Sequence, residues 1–108
     1  MADDEWIDVA PSREIAPEER RTVPLDDVDV LVINVGDNFY AFEDMCSHDR
    51  FPLSEGTIEG DTITCALHGA KFCIRTGEAL SAPAYEPVHT FPVRIENGMV
   101  QIRDDRWD

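Results

Sequence analysis

Two short stretches of this 108-residue chain each set a thiol beside an imidazole: Cys46-Ser47-His48 and Cys65-Ala66-Leu67-His68. Sixteen residues separate His48 from Cys65, and four of the chain's six cysteines and histidines lie in these two stretches. Thiolate and imidazole are both metal donors, the thiolate being the softer. A structural zinc site usually draws its ligands in like pairs, two cysteines from one arm and two histidines from the other. Here each arm offers one of each. That suits a binuclear iron–sulfur centre whose two irons carry different ligands. Two loops would close on it, the cysteines gripping one iron and the histidines the other. Its chemistry is the gain and loss of one electron. A mononuclear structural zinc module built from the same four donors is the alternative.

Such loops need strands to hold them. Val28–Val35 is rich in β-branched residues and runs into Gly36-Asp37-Asn38, after which Phe39–Phe42 returns, a hairpin pattern. Thr57–Glu59 and Thr62–Thr64 flank Gly60-Asp61, and Lys71–Ile74 and Glu78–Leu80 flank Thr76-Gly77. Val88–Ile95 and Met99–Arg103 flank Asn97-Gly98, the strongest hairpin signal in the chain. Glu5–Val9 and Arg20–Leu25 complete the expected strands, with Ala10–Glu19 as a loop between them. No segment carries a sustained helical period. The expectation is an all-β, antiparallel sandwich or barrel. The last residues, 104–108, are expected to fray.

The length fits one domain. Acidic residues number 23 against 9 basic ones, a formal net charge of −14, which excludes a nucleic-acid binder and argues against anionic membrane surfaces. Residues 45–75 are nearly neutral, with four acids (Asp49, Glu55, Glu59, Asp61) against three bases (Arg50, Lys71, Arg75). The rest of the chain holds nineteen acids and six bases. The first residues have neither the basic nor the apolar region of a secretory signal, and no apolar run approaches a membrane span. Three cysteines do not suit a secreted disulfide framework. The expected setting is cytoplasmic, with no membrane association.

The pattern C-x-H-x16-C-x2-H resembles that of Rieske-type ferredoxins. The flanks agree: residues 36–44, Leu53-Ser54-Glu55-Gly56, His68-Gly69, Phe72, Thr76-Gly77 and Ala82-Pro83-Ala84 stand where that family has comparable residues. The likeness spans about residues 28–102 and is greatest to the ferredoxins of bacterial aromatic-ring-hydroxylating dioxygenase systems. The small subunit of assimilatory nitrite reductase is a near relative and an alternative function. The resemblance implies a single Rieske domain over residues 1–108. Residues 5–42 and 86–103 would form a sandwich base, and about 43–85 a small cluster-binding subdomain made by two loops. It implies one [2Fe–2S] cluster per chain, with Cys46 and Cys65 on the inner iron and His48 and His68 on the outer iron. The function implied is one-electron carriage without catalysis. Electrons would come from an NAD(P)H-dependent flavin reductase and go to a terminal oxygenase with its own Rieske and mononuclear iron centres. The free protein is expected to be a monomer.

Several positions depart from relatives in respiratory complexes. Those carry a further cysteine in each loop and join them by a disulfide. Phe51 and Leu67 stand there in this chain, so an apolar contact is expected in its place. The same relatives have a serine and a tyrosine where this chain has Ala70 and Phe72. Without hydroxyl donors to the cluster, the potential is expected near the bottom of the Rieske range, which runs from about −150 to +300 mV. Cys73 fits neither motif and reads as a small buried apolar residue, and His89 reads as structural. Pro83-Ala84 is expected to shield the cluster from water. Docking at the nearly neutral tip, through Phe51 and Pro52, is expected to be mostly apolar.

Overall fold

The strand Asp29–Val35 (β3) is buried from Val30 through Asn34, on both faces rather than one. That continuous burial follows from its sequence, in which Val30, Leu31, Val32 and Ile33 leave no polar face to turn towards water. The computed structural model, which describes residues 6–25, 27–46, 51–67, 69–82 and 86–106, makes this strand the middle of the molecule. It pairs antiparallel with Arg20–Pro24 (β2) on one side and Asn38–Glu43 (β4) on the other. Val35 faces Asn38 across Gly36-Asp37, and both turn residues have positive φ. This is the primed two-residue turn whose twist matches paired strands. Thr90–Phe91 (β8) completes the sheet against β4.

Two further sheets cover its faces. Below lies the sheet β1-β10-β9, made of Ile7–Pro11 (β1), Met99–Ile102 (β10) and Val93–Glu96 (β9). Val100 and Ile102 of β10 pack with Val30, Val32, Ala41 and Phe91 in one buried core. Above lies the sheet β5-β6-β7, of three residues per strand: Thr57–Glu59 (β5), Thr62–Thr64 (β6) and Lys71–Cys73 (β7). Ile63 and Phe72 from this sheet pack with Leu31, Ile33 and Phe42 in a second core. Alternate residues of β3 therefore feed different cores, as the two-residue period of a strand dictates.

The all-β antiparallel architecture is as expected, and the Asn97-Gly98 turn sits where the sequence places it, between Glu96 and Met99. Three local expectations change. Val88–Ile95 is not one strand: β8 belongs to the middle sheet and β9 to the lower one. Pro92 separates them because it has no N–H for a ladder, and the chain changes sheets there. Of Glu78–Leu80, only Ala79 forms a bridge, to Phe72. β1 begins at Ile7 and reaches Pro11, with an irregularity between Asp8 and Ala10.

Residues 104–106 do not fray. The Arg106 guanidinium donates to the carboxylates of Asp104 (2.7 Å) and Asp27 (2.9 Å). His89 Nε2 lies 2.9 Å from Asp105 Oδ1. The hydrogen bond from Arg106 holds the Asp104 carboxyl below the ordinary carboxylate range, and Asp104 in turn raises Arg106 further. Among the described residues no helix is long and apolar enough to cross a membrane.

Candidate metal centre

β4 carries the chain into the first motif, and β6 carries it into the second. Beyond β4 the backbone stays anchored: Glu43 N–H donates to the His89 carbonyl and Asp44 N–H to the Asp29 carbonyl, 2.9 and 2.8 Å. Cys46 follows, fully buried, and its N–H donates to the Phe51 carbonyl at 2.8 Å. In the second motif Cys65 is 1% exposed, and its N–H donates to the Ala70 carbonyl at 2.7 Å. Each loop is thus closed in the same way, by a cysteine N–H reaching the carbonyl five residues on. The second loop is also closed from within, by Gly69 N–H on the Cys65 carbonyl at 3.1 Å.

Both cysteines belong to the upper core, with Leu53, Ile63, Ala70, Phe72, Ile74 and Val88 among their neighbours in it. Neither is in a disulfide. Two buried reduced thiols from different loops in one apolar core are a donor set suited to soft metal coordination. Cys46 and Cys65 thus share one buried core. His48 and His68 lie outside the described residues, as do Asp49, Arg50 and Pro83-Ala84. Among the described residues no three ligating groups gather.

Exposed apolar residues stand in and beside the loops, together with the charged Glu55 and Lys71. Leu67 is 48% and Leu80 50% exposed, and Pro52 and Ala66 also face solvent. Leu80 is tied down by its N–H on the Lys71 carbonyl at 2.7 Å. The expected apolar substitute for a disulfide is one-sided. Phe51 packs against the upper core, whereas Leu67 stands half in solvent. Ala70 and Phe72 are both fully buried, so the positions that lack a hydroxyl lie inside the core. Cys73 is only partly buried, on β7 and outside that core's buried set. Its neighbours Phe72 and Ile74 take the inward places, as alternation requires. His89 is taken up at the base by Asp105 and by an edge-on contact with Phe91, ring centres 4.8 Å apart.

Sequence reasoning assigned no role to Arg20, Asp44 or Ser54. Asp44 is a buried acid two residues before Cys46, and both its carboxylate oxygens accept from Ser54. The signal was present in the flanks, in the acid of residues 36–44 and the serine of Leu53–Gly56, but without the fold nothing joined them.

Residues 5–92 match the family described as the Rieske [2Fe-2S] domain. The chain is 43% identical over 94 residues to the ferredoxin component of biphenyl 2,3-dioxygenase from Rhodococcus jostii (strain RHA1), covering 87% of this chain and 88% of that one. It is 47% identical over 74 residues to the 3-phenylpropionate/cinnamic acid dioxygenase ferredoxin subunit of Escherichia coli (strain K12), covering 68% of this chain and 70% of that one. Among solved structures, a chain in the complex of reduced oxygenase and oxidized ferredoxin of carbazole 1,9a-dioxygenase superposes with a TM-score of 0.88. It is 37% identical and covers 91% of this chain and 92% of that one. The Sphingomonas yanoikuyae B1 ferredoxin gives a TM-score of 0.85 at 29% identity, covering 93% and 99%.

Proposed function

Because this chain belongs to the family of Rieske [2Fe–2S] domains, we propose that it delivers single electrons to a terminal ring-hydroxylating oxygenase, having received them from an NAD(P)H-dependent flavin reductase. One [2Fe–2S] cluster per chain is the group that membership implies, and when bound it supplies a one-electron couple. Cys46 and Cys65, both buried, together with His48 and His68, are the residues that would hold it. The observation that carries this reading is the pair of like-closed loops, each presenting a buried thiol to one core.

The chain's own residues have three tasks. The apolar core around the two cysteines keeps water from the thiolates. The buried, hydroxyl-free side chains of Ala70 and Phe72 give reduction no donor, which favours a low potential. The exposed Pro52, Ala66, Leu67 and Leu80 make a docking tip with little charge, which suits brief encounters with two partners in turn. No residue is assigned to bond-making chemistry. Residues 43–85 act as a ligand-bearing cap on a base of 5–42 and 86–103, the whole being one domain. The protein works as a monomer in the cytoplasm.

The test is reconstitution with iron and sulfide. Visible absorption and a paramagnetic signal after dithionite are expected, with oxidation of the reduced form by a ring-hydroxylating oxygenase. Material that stays colourless, or whose reduced form no such oxygenase oxidises, overturns the proposal.

A further inference from the structure

The two cysteine loops of this chain have no disulfide to hold them together, yet the residues behind them are cross-linked by hydrogen bonds centred on Ser54. Ser54 N–H donates to Asp44 Oδ1 at 2.7 Å, and Ser54 Oγ–H donates to Asp44 Oδ2 at 2.8 Å. Asp44 is 8% exposed and stands two residues before Cys46. Arg20 of β2 donates from Nη1 to the carbonyls of Ser54 and Gly56, each at 2.9 Å. Gly56 in turn lies so close to Thr64, the residue before Cys65, that a Cβ would run into the Thr64 carbonyl oxygen. An unbroken line of contacts therefore runs from the stem of the first loop to the stem of the second: Asp44, Ser54, Gly56, Thr64. Arg20 fastens it to the middle sheet.

We propose that Asp44, acting through Ser54, is a positioning residue that fixes the two cysteine loops relative to each other. This rests on Cys46 and Cys65 as ligands. Both carboxylate oxygens accept hydrogen bonds, one from the Ser54 N–H and one from its O–H. Charge-assisted bonds of this kind are stronger than neutral ones. A buried negative charge beside the first loop also opposes arrival of an electron. Neutralising it must move the potential upward, which loss of an ordinary scaffold contact would not do.

The experiment uses the cluster-loaded protein and two readouts: the midpoint potential, and the rate at which an excess of ferrous chelator bleaches the visible absorption under anaerobic conditions. Ser54→Ala is expected to bleach several-fold faster than the parent, and Ser54→Thr, which keeps a hydroxyl, to return towards the parental rate. Asp44→Asn is expected to bleach faster and to shift the midpoint upward, whereas Ser54→Ala, which keeps the charge, does not raise it. Arg21→Ala removes a guanidinium of the same strand that reaches the Glu14 and Arg20 carbonyls but neither Ser54 nor Gly56, and is expected to match the parent. A parental bleaching rate in Ser54→Ala, or a parental midpoint in Asp44→Asn, overturns the proposal. Should Asp44→Asn fail to fold, the Ser54 pair decides it by rate. A parental spectrum in Cys46→Ala would instead overturn the ligand assignment, an outcome separable from either result at Asp44.

Discussion

The two cores on either side of β3 share that strand and its neighbour β4, and differ in the sheets that close them. The lower core joins β3 to β10, and Val30, Val32, Val100 and Ile102 meet there at zero exposure. Its strands run four to seven residues, apart from the two of β8. The upper core closes on strands of three residues, and two of its buried members are cysteines. Short strands offer few ladder bonds, so beside its larger set of buried side chains the upper half draws on ties between its loops: backbone closures, the Asp44–Ser54 bonds and the metal when bound. The lesson is a division of labour. One face of β3 closes on the longer strands of the lower sheet, and the other closes on short strands and on the two cysteine loops.

The largest test of that contrast is Cys65→Ala. It is expected to abolish the visible spectrum and electron transfer, while amide exchange stays slow at Val32 and Val100 and quickens in β5–β7. Equal loss of protection on both sides would break the comparison. Next come matched truncations. Ile33→Ala and Ile102→Ala each remove a fully buried isoleucine side chain, and each is expected to cost about 2–5 kcal/mol in denaturant unfolding. Only the former is expected to speed cluster release under native conditions.

A finer test adds a donor where none exists. Ala70→Ser is expected to raise the midpoint from a parental value near the bottom of the Rieske range, measured by redox titration. A parental midpoint near the top of the range contradicts the reading of Ala70 and Phe72. At the tip, Leu67→Glu is expected to slow oxidation by the oxygenase several-fold without moving the midpoint. A neutral change at Asp27 in the base is expected to leave that rate alone.

The smallest effect belongs to the base. Because Arg106 holds the Asp104 carboxyl below its ordinary range, this pair stabilises the fold above that range and stops doing so as pH falls through it. Asp104→Asn is expected to cost less than about 1 kcal/mol near neutral pH. The difference from the parent should vanish in acid, as followed by thermal unfolding.

What was legible in the sequence follows from what is local. The primed turns at Gly36-Asp37 and Asn97-Gly98 announce themselves in two residues, and β5 and β6 begin and end where the pattern places them. The cysteine and histidine spacing pointed to two loops, and the two cysteines do reach one core. Features set by distant partners were not legible. Pro92 was read inside a strand because alternation around it is good, and only the sheet order shows the change of layer. Residues 104–106 were expected to fray because Asp27, which holds Arg106, lies 79 residues away in the chain. Asp44 and Ser54, ten positions apart in the chain, look like ordinary loop residues until the fold sets their side chains 2.8 Å apart.

Burial of β3 on both faces has a consequence for chimeras. Leu31 and Ile33 face the half with the two cysteine loops, and Val30 and Val32 face the opposite layer. A graft of the upper half from another relative must therefore bring its own odd-numbered side chains into β3 and leave the even-numbered ones untouched. The seam of such a hybrid runs lengthwise through β3 and through β4, whose Phe42 and Ala41 divide in the same way, not across a linker.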